Sequence, residues 1–473
     1  MNTKIAKPLK NCQNSANKSK MIQPWFKYCF LSCFLMMSLY SQSEKPNFIF
    51  IMTDDHGWSQ FGHIPHPEMK EAKSKYLETP NLTRIAEEGM RFTRAYSPAS
   101  LCTPTRRSIL CGASVARSGT EFKSSFIPHE HMTMPRALKM ADENYVCAHF
   151  GKWGEHMIST PEQCGYDLSD GETGNVTGGM EDKFQPFHIM DDPKRTNSVT
   201  DRTITFIREQ KSAGKPFYAQ VSYYATHLSV ELEEKSLKKF QKKGEPDRRY
   251  TAGFAGMLEE TDSAIGRILD ALDELGIADN TYVIFSSDNG GRGEIPGAAA
   301  EGLDPNYPLK GYKHTLNEGG IRVPFYVRGP KVKANSWCHE VVSSYDLLPS
   351  FYELAGGAKE LPETVDGGSF VHLIHDKAVK PVKRAVGGLV FHRPRQRESV
   401  YTKGRYKLLL NWNGETPGQA ELYNTLADAT ESNNLAHQLP ERVEDMKKKL
   451  VTFLESVDAE TVKDYPKMRK NKY

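Results

Sequence analysis

"NFIFIMTDD", residues 47–55, is an uncharged run of aromatic and branched side chains that stops abruptly at two aspartates. A short continuous apolar run bounded by polar residues marks a strand buried on both faces, as in a parallel sheet. The pattern recurs three times. Tyr145 to Phe150 (YVCAHF) ends at Gly151-Lys152, Pro216 to Tyr223 (PFYAQVSY) runs towards His227, and Thr281 to Ser286 (TYVIFS) stops before Asp288-Asn289. Helical patterns separate these runs. Thr79-Pro80 opens one through Ala86, with Thr79 at the N-cap and Pro80 at the first helical position. A second covers Asp201 to Gln210. The longest is expected over Tyr250 to Leu275, where Leu258, Thr261, Ile265, Ile268, Leu272 and Leu275 share a face and Gly276 is placed to end it. Alternating strands and helices predict an α/β fold, with a large, mostly parallel mixed sheet sandwiched by helices. After about residue 375 the pattern changes. Ser399 to Trp412 reads as a hairpin and Glu441 to Ser456 as an amphipathic helix, which predicts a small C-terminal α+β subdomain of antiparallel sheet plus helix. The expected division is residues 44–375 and 376–473.

The 473 residues, 38% hydrophobic and 26% charged, describe a globular chain with a sizeable core. The first 43 residues read separately. They hold six lysines and no acidic residue, and Tyr28 to Leu39 is an apolar run too short to span a membrane comfortably. A secretory signal over residues 1–43 fits this pattern, with a retained anchor as the alternative. The expected location is therefore periplasmic or secreted, with no stable membrane partner. Removing six lysines from a formal net charge of +3 leaves the remainder near −3. No basic stripe interleaved with aromatics remains, which argues against nucleic-acid binding. Five cysteines lie beyond the leader: Cys102, Cys111, Cys147, Cys164 and Cys338. An odd count in an exported protein leaves at least one outside any intramolecular disulfide.

In open α/β sheets ligands bind beyond the carboxyl ends of the strands, so Asp54, Asp55, Lys152, His227, Asp288 and Asn289 can meet at one site. Three carboxylates and an amide oxygen form a hard-oxygen donor set, better suited to Ca²⁺ or Mg²⁺ than to zinc. Cys102 is the odd cysteine. It stands in "SLCTPTRRSIL" (residues 100–110) at what looks like a helix start, before Arg106 and Arg107. Fixed positive charge beside a thiol lowers its pKa, so a reactive thiol is expected there.

Cys102-Thr103-Pro104-Thr105-Arg106 resembles the sulfatase signature C-x-P-x-R, in which the cysteine is oxidised after translation to formylglycine (3-oxoalanine). The resemblance covers most of the chain beyond the leader. "PNFIFIMTDDHGW" is similar to the family's first strand and metal-binding aspartates, and "DNTYVIFSSDNGG" to its second metal-binding segment. "TPNLTRIAEEGMRFTRAYS" is similar to its first helix and the lead-in to the signature, "KHTLNEGGIRVPF" to its lysine-bearing loop, and "ELYNTLADATESNNLA" to its closing motif. The resemblance implies an alkaline-phosphatase-superfamily fold and a sulfuric ester hydrolase. It also implies one Ca²⁺ ion held by Asp54, Asp55, Asp288, Asn289 and modified residue 102. Arg106 would hold the formylglycine in place, Lys152 and Lys313 would grip sulfate oxygens, and His227 would protonate the leaving alcohol. One hydroxyl of the hydrated formylglycine would attack sulfur, and loss of the other's proton would then expel sulfate. A formylglycine-generating enzyme is an implied partner.

One position departs from the family. Many relatives read G-K-W-H after the second strand, whereas this chain reads Gly151-Lys152-Trp153-Gly154-Glu155-His156. In an extended segment residues 154 and 156 point to the same side, so His156 is expected to take the missing base's place, with His314 as the next candidate. His56, His63, His66 and the insertion Arg292 to Tyr307 are expected to line the entrance. A basic residue such as Arg292 would suit an anionic polysaccharide, for instance an algal glycan, as substrate. Two alternatives stay open: a phosphatase or phosphonate hydrolase of the same superfamily, and a non-catalytic protein that binds sulfated glycans.

Overall fold

In the computed structural model, residues 45–180, 182–375, 379–461, 463 and 464 are described; the signal expected over 1–43 lies outside them. Asn47–Thr53 forms strand β1, buried along its whole length. Its alternate side chains serve two cores, as the period of two requires. Phe48, Phe50 and Met52 pack with Ile109, Leu138 and Phe351 on one face, whereas Ile49 and Ile51 pack with Ile85, Ile207 and Ile265 on the other. Each such side chain stabilises the fold by roughly 1.5–3 kcal/mol on burial.

The other strands of this sheet are β2 (Met90–Phe92), β3 (Val146–Gly151), β4 (Leu168–Ser169), β5 (Phe217–Ser222), β6 (Thr281–Ser287), β7 (Phe325–Arg328) and β8 (Ser336–Cys338). They lie in the order β8-β2-β7-β6-β1-β5-β3-β4. The central strands β6, β1, β5 and β3 are all parallel, and β7 is antiparallel to both of its neighbours, giving a mixed, mostly parallel sheet. Helices α1 (Pro80–Glu88), α2 (Cys102–Cys111), α3 (Met134–Ala141), α4 (Thr196–Ala213), α5 (Ala252–Glu274) and α6 (Leu347–Leu354) supply the layers. Residues of α1, α4 and α5 join the Ile49/Ile51 core, and those of α2, α3 and α6 join the Phe48/Phe50 core. The expected helix–sheet–helix sandwich is observed. Among the described residues, no helix is long and apolar enough to cross a membrane.

Strands β9 (Leu389–Arg393), β10 (Glu398–Lys403), β11 (Tyr406–Asn413) and β12 (Thr416–Asn424) form a separate antiparallel sheet in sequence order. One face, through Val390, Leu408, Leu410 and Leu422, packs on Met446, Leu450 and Phe453 of α7 (Pro440–Ser456). The other, through Leu389, Phe391, Val400 and Leu409, packs on Tyr96, Leu316, Ile321 and Tyr345. The chain from Lys45 onward clusters as one compact unit.

Candidate active site

The parallel register of β1 with β5 and β6 brings their carboxyl ends together. Thr53 pairs with Ser287, and Gly151 of β3 pairs with Ser222 of β5. Backbone bonds carry the alignment past the strands: Asp54 N donates to Ala225 O (2.9 Å), Asp288 N to Thr53 O (3.1 Å) and Lys152 N to Ser222 O (2.8 Å). Gly151 is obligatory at its turn, since at φ +91° a Cβ would lie 2.0 Å from Ser222 O. Asp54, Asp55, Lys152, His227, Asp288 and Asn289 are all buried at this edge. Lys313 arrives from a later loop, its N–H bonded to Gly291 O (2.9 Å). Arg106 arrives from α2, one turn beyond Cys102.

Charges alternate through the cluster. Lys152 Nζ contacts Asp54 Oδ2 directly. Arg106 Nη2 lies 2.7 Å from Asp288 Oδ2 and 3.5 Å from Asp54 Oδ2, and its Nη1 donates to Lys152 O (2.6 Å). Lys313 Nζ lies 2.6 Å from Asp55 Oδ1, and Arg292 Nη1 lies 4.0 Å from Asp55 Oδ2. Burial pushes the Asp54 carboxyl up, but Lys152, His227, Arg106 and Lys313 outweigh it and hold the group below the usual range. Burial and the adjacent Asp54 charge raise Asp288, a crowding of carboxylates that a divalent cation relieves.

Two oxygens in this buried cluster, Asp54 Oδ1 and Asn289 Oδ1, accept no hydrogen bond from the protein. A buried acceptor without a donor is costly, so two that sit among carboxylates suit a cation. Asp54, Asp55 and His227 bring ligand atoms within 4.8 Å of one another. His227, expected at the site as a proton donor, thereby also joins the residues able to hold a metal. Asn289 Nδ2 donates to Asp55 Oδ1 (2.8 Å), which turns its own carbonyl oxygen away from that contact. Asp288 Oδ1 accepts from Asp55 N (3.1 Å). The residues present therefore fit a hard, oxygen-preferring ion such as Ca²⁺.

Cys102 is the first residue of α2 and only 1% exposed. Its thiol senses Lys152, Lys313, Asp54 and Asp288, so it belongs to the cluster. The lowered thiol pKa expected from the neighbouring arginines is not found. Burial raises it and outweighs Lys152 and Lys313, whose charges are offset by Asp54 and Asp288. Arg107 is turned away altogether, donating to the carbonyls of Ser118, Gly119, Glu121 and Phe122. All five cysteines are buried and unbridged, and Cys111 sits in the apolar core.

His227 Nδ1 lies 2.8 Å from Leu228 O, which fixes the proton on Nδ1 and leaves Nε2 3.9 Å from Asp55 Oδ2. Burial, with Lys313 and Lys152 nearby, pushes its pKa down to about 3, away from the near-neutral value of a free histidine. The extended segment expected after Lys152 is also absent. Gly154 has φ +146° and His156 φ +56°, so the chain turns and places His156 on the surface. The alternation that was to aim His156 into the site does not hold. His314 is likewise at the surface beside buried Lys313. His56, His63 and His66 do not line the entrance. His56 stacks on Phe61, His63 is held between Thr83 Oγ1 and Tyr326 OH, and His66 packs against Trp58. Arg292, one-third exposed, does reach the site.

Sequence reasoning missed Lys194, a buried lysine at φ +54° whose Nζ donates to Gly179 O (3.0 Å) and faces Glu231 (3.4 Å). Burial lowers its pKa to about 8, and it senses both Asp54 and Lys152. It also missed Arg393, which reaches the site from β9. Neither residue carries a motif, and only the folded chain brings them near the cluster.

Residues 46–358 match the family described as Sulfatase, and residues 312–460 the one described as N-sulphoglucosamine sulphohydrolase, C-terminal. An ulvan-active sulfatase of Formosa agariphila is 26% identical over 459 residues, covering 86% of this chain and 81% of that one. Arylsulfatase A of Homo sapiens is 29% identical over 364 residues, covering 69% and 67%. Among solved structures, Ps i-CgsB in complex with k-i-k-neocarrahexaose is similar at a TM-score of 0.71 and 25% identity, over 87% of this chain and 93% of that one.

Proposed function

The chain belongs to the sulfatase family and is a sulfuric ester hydrolase; on that premise we propose that it is exported and removes sulfate from an anionic polysaccharide or oligosaccharide, using a formylglycine made from Cys102 and one bound Ca²⁺. The observation that carries this reading is the placement of Cys102 on the first turn of α2, buried and within electrostatic reach of Lys152, Lys313, Asp54 and Asp288, in a cluster with two unpartnered buried oxygens. The ulvan-active relative and the carrahexaose-bound structure support a sulfated polysaccharide as substrate. The lysine-rich, acid-free leader supports export.

Asp54, Asp55, Asn289 and Asp288 are the residues that would hold the ion, with His227 close enough to contribute. Such an ion would supply positive charge that lowers the pKa of a nearby hydroxyl and screens the sulfate. The hydrated aldehyde at residue 102 supplies the oxygen nucleophile. Lys152, Lys313 and Arg106 carry three positive charges against those of Asp54, Asp55 and Asp288, so a divalent ion tips the site positive and favours an anionic ester. Arg106 fixes Asp288 and the Lys152 carbonyl, which holds the base of α2 against β6 and β3. Lys152 and Lys313 stabilise charge on the sulfate oxygens from a buried position, where such contacts are stronger than in water. His227 Nε2 lies near Asp55, and where that nitrogen does not take the ion it can move a proton at the leaving oxygen. Because Cys102 is buried in the folded chain, the formylglycine-generating enzyme must read it before folding is complete.

The test combines peptide mass spectrometry at residue 102 with turnover of a panel of sulfated oligosaccharides and small aryl sulfates. An aldehyde in place of the thiol, loss of activity in Cys102→Ala and release of sulfate from oligosaccharides are the expected results. A fully active protein with an unmodified thiol overturns the nucleophile. Activity confined to aryl sulfates overturns the polysaccharide substrate.

A further inference from the structure

Arg393, the last residue of β9, leaves the C-terminal sheet and enters the wall of the active site. Its Nη1 donates to Ser100 Oγ (3.1 Å) and to His314 O (2.6 Å), and its Nη2 lies 3.7 Å from Glu121 Oε1. The two segments it touches are also joined directly, His314 N donating to Ser100 O (3.0 Å). Ser100 stands two residues before Cys102, and His314 follows Lys313. Arg393 is buried, and its side chain hydrogen-bonds to both segments.

The same sheet grips the lysine-bearing loop at a second point. Lys407 of β11 lies 3.1 Å from Glu318 Oε1 and 2.8 Å from Glu431 Oε1, and all three residues are buried. Glu318 N in turn donates to Glu431 Oε2 (2.8 Å). The loop between Lys313 and Glu318 is thus anchored at both ends by the C-terminal sheet. His314 itself sits at φ +81°, a conformation that side-chain-bearing residues adopt only when their surroundings impose it. The bond from Arg393 to its carbonyl is one of those constraints.

We propose that Arg393 is a positioning residue, which sets the distance between residue 102 and the Lys313 ammonium so that the C-terminal sheet completes the active site. The inference rests on the sulfate-gripping role given to Lys313 above. A lysine is a point charge on a flexible four-carbon stem, so its placement depends on its backbone. Arginine suits the task, since one rigid, permanently charged nitrogen offers a hydrogen to each of the two segments.

The test uses the full, matured protein carrying Arg393→Ala or Arg393→Lys, with wild type and Lys313→Ala as references. Steady-state constants on a sulfate ester that wild type turns over, thermal unfolding and rescue by guanidinium are measured together. Arg393→Ala is expected to lose about 10²-fold in kcat, the usual effect of a misplacement near 1 Å. Guanidinium at non-denaturing concentration should restore about tenfold of that loss, whereas sodium chloride at equal ionic strength should not. Arg393→Lys should lose less, about tenfold. A folded Arg393→Ala protein within about twofold of wild-type kcat overturns the proposal, as does a loss that guanidinium leaves unchanged. If the alanine variant does not fold, Arg393→Lys decides by the same criterion: within about twofold of wild type overturns it. Full activity in Lys313→Ala instead removes the role of Lys313, an outcome separate from either result at Arg393.

Discussion

Gly154 occupies the place where many sulfatases carry a histidine, and its surroundings say what is lost. A Cβ there would lie 3.6 Å from Thr103 Oγ1 and 3.7 Å from Arg106 Cδ, so a side chain at 154 would point at the first turn of α2, beside residue 102. At φ +146°, glycine is the residue that this backbone accepts without strain. Position 154 therefore supplies no titratable group. The sequence-based proposal gives the proton transfer to His156, two residues on. If His156 serves it, His156→Ala should slow release of inorganic sulfate more than release of the alcohol, by about 10²-fold or more. Pre-steady-state assays of both products check this. Equal rates of the two products at wild-type turnover would remove His156 from the mechanism and leave His314 to be tested next.

At the scale of elements, the long helix α5 shows what holds the covering layer in place. Thr251 precedes it in extended conformation, and its Oγ1 accepts from Phe254 N (3.0 Å), one of the donors a helix start leaves unpaired. Gly276, at φ +63°, follows its C-terminal end. Thr251→Ala should destabilise the protein by about 1 kcal/mol without altering catalytic constants, because Thr251 makes no hydrogen bond to a residue of the charged cluster. Urea unfolding and steady-state kinetics on the same preparation check both halves. Thr79 precedes α1 as expected, yet its hydroxyl is spent elsewhere, accepting from Gly62 N (3.0 Å). That bond ties α1 to the loop after β1, so a residue type suited to capping a helix instead serves a tertiary contact.

Over the whole molecule, acid stability is set in part by histidines buried as neutral rings. His63 is bonded at both ring nitrogens and His149 contacts Ser222 Oγ (3.2 Å); burial lowers each pKa to about 3. The unfolded chain takes up these protons below its ordinary value of 6.5, whereas the native chain refuses them until about pH 3. Stability is therefore full above pH 6.5 and falls as the pH drops, by up to about 1.4 kcal/mol per pH unit for each ring. Urea midpoints followed from pH 7.5 to pH 5 should fall, and a folded His63→Asn variant should show a shallower slope. An unchanged slope in the variant would clear His63 of the effect.

The fold class was legible in the sequence because buried parallel strands are continuous apolar runs, and β1, β3, β5 and β6 each end in polar residues that the sheet then gathers. Asp54, Asp55, Lys152, Asp288 and Asn289 could be read because each immediately follows its own strand. What the sequence could not decide was the balance of forces once these groups met. The arginines beside Cys102 suggested a lowered thiol pKa, but Arg107 turns to backbone carbonyls and burial raises the thiol instead. The spacing of Gly154 and His156 suggested a shared side, but two positive φ angles break the alternation on which that inference depends. Arg393 and Lys407 carry no signal in their local sequence. Their importance arises from a second sheet, more than 70 residues after the lysine loop, folding back on it. Local pattern determines which elements form; desolvation and long-range packing decide which groups are charged, which are turned aside and which hold the site together.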